Sequence, residues 1–296
     1  MVDNDEGAPG PHAPLLAGSR VDDDAGVVPP DALIICCLTQ LYPDGAGKPT
    51  PAPVPSDTPP RSARDWPVSG VGSTFVLMIA TKTEVTDLSE VTIRRISVSE
   101  MDNNVYLLTS KDEGTQVLID AADDARAIAG LVGAGNGDCS QAYGNLQLII
   151  TTHSHWDHVR ALEEVRSRSE AMTACGADDE SDIAVPMDLT FEDGDTAEFD
   201  GFDLEVIGLR GHTPGSIALV YRDPQGPAHI FSGDSLFPGG VGRTNSPEDF
   251  RQLMDDVTER VFERFEDDTV VHPGHGKPTT LGAERPHLEE WRARGW

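Results

Sequence analysis

The chain has 296 residues, enough for one large domain or two modest ones, and 38% of them are hydrophobic, an ordinary level for a protein that buries its own core. Lysine and arginine number 22 against 51 aspartates and glutamates, a formal net charge of −29. Such a surface repels phosphate backbones, which excludes nucleic acid as the expected partner.

Of the 22 prolines, 13 fall at or before Pro67, so the first third of the chain differs in kind from the rest. Residues 49–60 alternate proline with small and polar residues and suit neither helix nor sheet. Residues 1–90 are therefore expected to be a disordered or weakly ordered extension, and residues 91–296 the working domain. Met78 is the first internal methionine, and the natural protein is expected to begin there or nearby. From residue 91 the pattern becomes regular. Strands are expected at 91–97, 104–109, 116–120 and 146–151, with helices at 121–132 and 158–167. A second strand-rich half follows at 196–199, 202–209, 216–221 and 228–232. A long amphipathic helix over 247–265, capped by Ser246, and a strand at 268–271 complete it. Two strand–helix halves of this kind predict an α/β fold of two sheets sandwiched between helices.

The four cysteines, Cys36, Cys37, Cys139 and Cys175, show no Cys-x-x-Cys spacing and form no disulfide framework. The N-terminus is acidic where a signal peptide is basic, and the apolar runs 32–38 and 75–80 are too short to span a bilayer. A cytoplasmic protein with no membrane partner is the expectation.

The chemistry is concentrated in Thr152-His153-Ser154-His155-Trp156-Asp157-His158. Three imidazoles and a carboxylate lie within six residues, directly after an apolar strand. Neutral imidazole suits zinc and similar ions, and carboxylate balances their charge. A surface cluster of this density is a poor alternative, because protonated histidines repel one another. In a loop leaving a strand, His153 and His155 face one side, and Asp157 and His158 turn toward a second position. Three more candidates sit at strand ends, where a sheet holds loops rigidly. These are His212 in Gly-His-Thr-Pro-Gly-Ser, Asp234 in Gly-Asp-Ser-Leu-Phe, and His275 in His-Pro-Gly-His-Gly.

This ordered set, His-x-His-x-Asp-His followed by His, Asp and His, resembles the signature of the metallo-β-lactamase superfamily. Gly-His-Thr-Pro-Gly-Ser, Gly-Asp-Ser-Leu-Phe and Gly-Gly-Val-Gly-Arg look most like its glyoxalase II branch, and the resemblance covers about residues 91–280. It implies an αββα metallo-β-lactamase-like sandwich of two mixed sheets flanked by helices. It also implies two divalent metal ions, zinc first with iron or manganese as the other options. His153, His155 and His212 would hold one ion, and Asp157, His158 and His275 the other. Asp234 would bridge them, and Asp120 would support the loop by hydrogen bonds. Arg243 would order the Gly-rich loop or meet an anionic substrate, and Trp156 would pack beside the site. His12, His229, His272 and His287 are left outside the site.

The implied activity is hydrolysis of a thioester or related small ester by a metal-bridging hydroxide, with Asp157 both binding metal and orienting the nucleophile. The partner is then a small-molecule substrate. Two alternatives stand beside it: a mononuclear iron persulfide dioxygenase using His153, His212 and Asp234, and a lactonase. The sequence departs from the branch at Val159-Arg160-Ala161, where the family carries glycine after the Asp-His pair.

Overall fold

The computed structural model describes residues 32–33 and 82–295. The rest of the Pro-rich extension, with the expected start near Met78, lies outside the described residues. The strands are β1 (Ala32–Leu33), β2 (Glu84–Asp87), β3 (Val91–Val98), β4 (Asn103–Ser110), β5 (Thr115–Ile119), β6 (Asn145–Thr151), β7 (Met172–Gly176) and β8 (Leu189–Phe191). They continue as β9 (Thr196–Phe199), β10 (Phe202–Gly208), β11 (Ile217–Arg222), β12 (Ala228–Gly233), β13 (Leu236–Phe237), β14 (Gly240–Val241), β15 (Val270–Pro273) and β16 (Thr279–Thr280). The α-helices are α1 (Ala125–Gly135), α2 (Leu162–Ser169), α3 (Pro247–Val257), α4 (Leu281–Glu284) and α5 (Leu288–Arg294).

The first sheet has the order β2-β3-β4-β5-β6-β7-β8. It is antiparallel through β5 and parallel from β5 to β8. The second runs β1-β9-β10-β11-β12-β15-β16 and is also mixed, with parallel pairs at β1/β9 and β12/β15. Strand β2 lies within the span expected to be extension, at the edge of the first sheet.

Side-chain alternation explains the layering. In β5, Val117 and Ile119 enter a core shared by both sheets, while Leu118 faces the helices. In β6, Leu148 and Ile150 go to the shared core and Ile149 to the other side. Strands buried on both faces read as continuous apolar runs, which is how residues 146–151 appear in the sequence. The shared core is closed from the second sheet by Leu204, Val206, Leu219 and Phe231. Ile128, Leu131, Leu162 and Val165 of α1 and α2 cover the outer face of the first sheet. Phe250, Leu253, Met254 and Trp291 cover that of the second. The result is the expected helix–sheet–sheet–helix sandwich.

Local details differ where special backbone is needed. Ser246 caps α3 as expected, its hydroxyl accepting from the Asp249 N–H. The long helix is regular only to Val257 and then widens into a π-turn over Thr258–Phe262. The helix expected from residue 158 starts at Leu162, because residues 156–158 form a separate 3₁₀ turn. Strands β7 and β8 carry no alternation that the sequence makes visible. Among the described residues, both cysteines are free, and no helix is long and apolar enough to cross a membrane.

Candidate metal centre

Every candidate donor leaves the end of a strand on the same edge of the sandwich. The His153–His158 loop follows β6, His212 lies in the turn between β10 and β11, Asp234 follows β12, and His275 follows β15. The fold brings all seven together. Donor atoms within 4.8 Å of one another form three groups: His153/His155/His212, His153/His158/Asp234 and Asp157/His158/His275. His155 Nδ1 stands 2.8 Å from His212 Nε2, and His158 Nε2 stands 3.1 Å from His275 Nε2. Asp234 lies between the outer groups, with Oδ2 3.6 Å from His212 Nε2 and 3.3 Å from His275 Nε2.

The surrounding hydrogen bonds fix which nitrogen of each ring is free, the tautomers following from the network. His212 Nδ1 donates to the Arg243 carbonyl at 2.6 Å, and His275 Nδ1 to the Met101 carbonyl at 2.8 Å. His158 Nδ1 donates to Asp120 Oδ2 at 3.0 Å. Thr152 gives its own hydroxyl proton to Asp120, so at 3.1 Å it accepts from His153 Nδ1. In the neutral rings, lone pairs on Nε2 of His153, His158, His212 and His275 therefore converge. Facing lone pairs at these distances repel unless a positive charge lies among them. His153 Nε2 and Asp234 Oδ1 are buried with no hydrogen-bond partner among the described residues. Buried polar atoms are normally paired, and a cation held among these donors would satisfy both. Imidazoles and carboxylates are the donors that divalent ions such as zinc accept, so the residues present fit a metal site.

Electrostatics in the metal-free chain agrees. Burial pushes His153 well below the usual histidine range, and the neighbouring His158 charge adds to this. Burial also lowers His212. Burial opposes a charge on His158 too, but Asp120 and Asp234 outweigh it and raise the group to about 10. Burial raises Asp234, yet the nearby His158 and His275 rings hold it well below the carboxylate range. Without metal, a proton on His158 supplies the positive charge that the converging groups require.

Glycines make room for the cluster. A Cβ on Gly274 would lie 2.2 Å from Asp234 Oδ1 and 2.8 Å from His158 Cε1. One on Gly242 would lie 1.7 Å from the Asp234 carbonyl oxygen. Asp120 sits at φ 57, with Oδ1 accepting from the Thr152 N–H at 2.8 Å, so it supports the loop as expected. The sequence did not single out Asn103. It is fully buried, and its Nδ2 donates to Asp157 Oδ2 at 2.9 Å and to the Asp157 carbonyl. Its only sequence signal is its position at the start of a strand. Trp156 is 62% exposed rather than packed in, with the Arg160 guanidinium 4.8 Å from its ring centre. Arg243 contributes its backbone carbonyl, and its side chain is exposed. His272 is outside the donor groups, its Nε2 2.9 Å from His229 Nδ1.

Hydroxyacylglutathione hydrolase GloC of Haemophilus influenzae is 26% identical over 213 residues, covering 65% of this chain and 94% of that one. A hydroxyacylglutathione hydrolase of Ruegeria pomeroyi is 32% identical over 176 residues, covering 59% of this chain and 62% of that one. The crystal structure of TTHA1623 in a di-iron-bound form superposes with a TM-score of 0.51 at 27% identity, covering 64% of this chain and 96% of that one. The family model for the metallo-beta-lactamase superfamily matches residues 99–275, which span all seven converging donors, and the chain belongs to that superfamily.

Proposed function

We propose that this metal-dependent hydrolase cleaves a thioester or related small ester and works with two divalent ions, zinc being the first candidate. His153, His155 and His212 would hold one ion, Asp157, His158 and His275 the other, with Asp234 shared. The observation that carries the reading is the convergence on one small volume of four Nε2 atoms, each on a ring whose Nδ1 is already engaged, and of an orphaned Asp234 oxygen. The TTHA1623 structure supports two ions, and the two hydroxyacylglutathione hydrolases support thioester chemistry.

Ions bound here supply Lewis acidity and a nucleophile from water near neutral pH. The chain's own residues do the rest. Asp157, held by the Asn103 amide, presents a carboxylate oxygen beside His275 Nε2 at 3.4 Å, where it orients the nucleophile and accepts a proton from it. Asp120 and the Arg243 and Met101 carbonyls hold three imidazoles by Nδ1, so the rings do not reorganise during turnover. No serine or cysteine nucleophile is required.

Metal quantification on purified protein, paired with thioesters, lactones and persulfides, tests the reading. About two ions per chain and thioester turnover are expected. One iron per chain with persulfide-dependent oxygen uptake would replace it with the dioxygenase alternative, and turnover confined to lactones would replace the substrate class.

A further inference from the structure

Asp179 lies in the 3₁₀ turn Ala177–Asp182 that follows β7, and its side chain is completely buried. It is in none of the donor groups found among the described residues. Its Oδ2 accepts from the Ser154 N–H at 2.7 Å and from the Thr213 hydroxyl at 2.6 Å. Its Oδ1 accepts from the Gly215 N–H at 2.7 Å. Ser154 stands between His153 and His155, and Thr213 follows His212. One carboxylate therefore ties the two loops that supply the three-histidine group.

The backbone around it leaves no slack. A Cβ on Gly215 would lie 2.3 Å from the Asp179 nitrogen, and one on Gly176 would lie 1.9 Å from the Gly215 oxygen. A buried carboxylate is costly without partners, and here every partner comes from a donor loop. Asp120 plays the equivalent part for Thr152 and His158. Across the two tied loops, His155 Nδ1 stands 2.8 Å from His212 Nε2.

We propose that Asp179 is a positioning residue for the His153/His155/His212 group, fixing its two loops at the separation a divalent ion requires. The proposal rests on the metal reading above. Its test is cobalt(II) binding to the metal-free full chain, followed by visible absorption, with folding checked by near-ultraviolet circular dichroism. Wild type is expected to bind two cobalt ions. In Asp179→Asn the amide must set an N–H against a donor, and affinity for one of the two ions is expected to fall by about 10–100-fold, with a changed absorption band. Should that variant not fold, Thr213→Val decides the question. It removes one donor to the carboxylate and is expected to weaken the same ion several-fold. Asp188→Asn is the control, because Asp188 holds Thr173 of β7 away from the donor loops. It is expected to lower the melting temperature with cobalt binding unchanged. Folded Asp179 and Thr213 variants that bind both ions with wild-type affinity and spectrum overturn the proposal, even if their melting temperatures drop. A wild type that binds no cobalt overturns the metal reading and this proposal together.

Discussion

Asp120 Oδ2 lies 3.0 Å from His158 Nδ1, which turns the other nitrogen of that ring toward His275 and Asp234. The same carboxylate holds the Thr152 N–H and hydroxyl, so one residue orients both the loop entry and its last histidine. Replacing Asp120 with asparagine keeps the shape but offers an N–H to a cluster of donors. Zinc affinity measured by competition with a chelating dye is expected to fall by about 10–100-fold, with hydrolysis at saturating zinc partly restored. Unchanged affinity in a folded variant would show that His158 orients itself without Asp120.

Gly274 stands where any side chain would strike the centre. Its Cβ would meet Asp234 Oδ1 at 2.2 Å, and Asp234 cannot retreat without abandoning its neighbours. Gly274→Ala is expected to weaken metal binding by about 100-fold or more. Chelator should lower the melting temperature of wild type but leave this variant unmoved, since only ions bound to the folded state stabilise it. Gly130→Ala is the matched control, exposed in α1 with nothing within 4 Å of the added carbon. It is expected to stabilise by about 0.5–1 kcal/mol, with metal binding intact. Equal metal content in the two variants would contradict the packing argument.

The donors were legible because their pattern is local. His153 to His158 crowd into one loop after an apolar strand, and His212, Asp234 and His275 sit in Gly/Pro-marked turns at strand ends. Of their supports, Asp120 was legible at a strand end, but two others were not. Asn103 and Asp179 look like ordinary polar residues in a turn and an acidic stretch. They gain meaning only from partners 54 and at least 25 residues away in sequence. Strand β7, Met-Thr-Ala-Cys-Gly, is built mostly of small residues with one polar, so it gives no period of two even though four of its residues are buried. Residues 156 and 157 read as loop and residue 158 as the start of a helix. The fold instead winds them into a 3₁₀ turn, which aims Asp157 and His158 at the cluster.

Asp157 and Asn103 act as one unit in this geometry. The amide donates to both the side chain and the carbonyl of Asp157, so it sets the carboxylate's direction. Asp157→Ala is expected to cut kcat by about 10²–10⁴-fold while circular dichroism stays native. Asn103→Ala is expected to cost about 10–100-fold. The double variant should be little worse than Asp157→Ala alone, because the amide's contribution passes through the carboxylate. Steady-state kinetics at saturating metal measures all three. Multiplicative losses would separate the two residues.

His229 and His272 stack at 5.2 Å, and Phe231 stacks on His272 at 4.9 Å. Burial first, then the charge of His229 and of Arg95, pushes His272 down to about 3 from its ordinary 6.5. Burial lowers His229 as well, with Asp223 the opposing charge. Between pH 6.5 and 3 the unfolded chain therefore binds a proton on His272 that the folded chain refuses. Stability from this group is complete above 6.5 and declines on acidification, by up to about 1.4 kcal/mol per pH unit for one proton. Many carboxylates titrate in the lower part of this window, so the informative quantity is a difference in slope. His272→Phe keeps the stacking and removes the titration. Urea unfolding of metal-free protein between pH 6.5 and 5 is expected to show a shallower loss of stability in the variant, by close to one proton. Identical slopes would mean that this pair accepts a proton in place, and that burial does not hold His272 neutral.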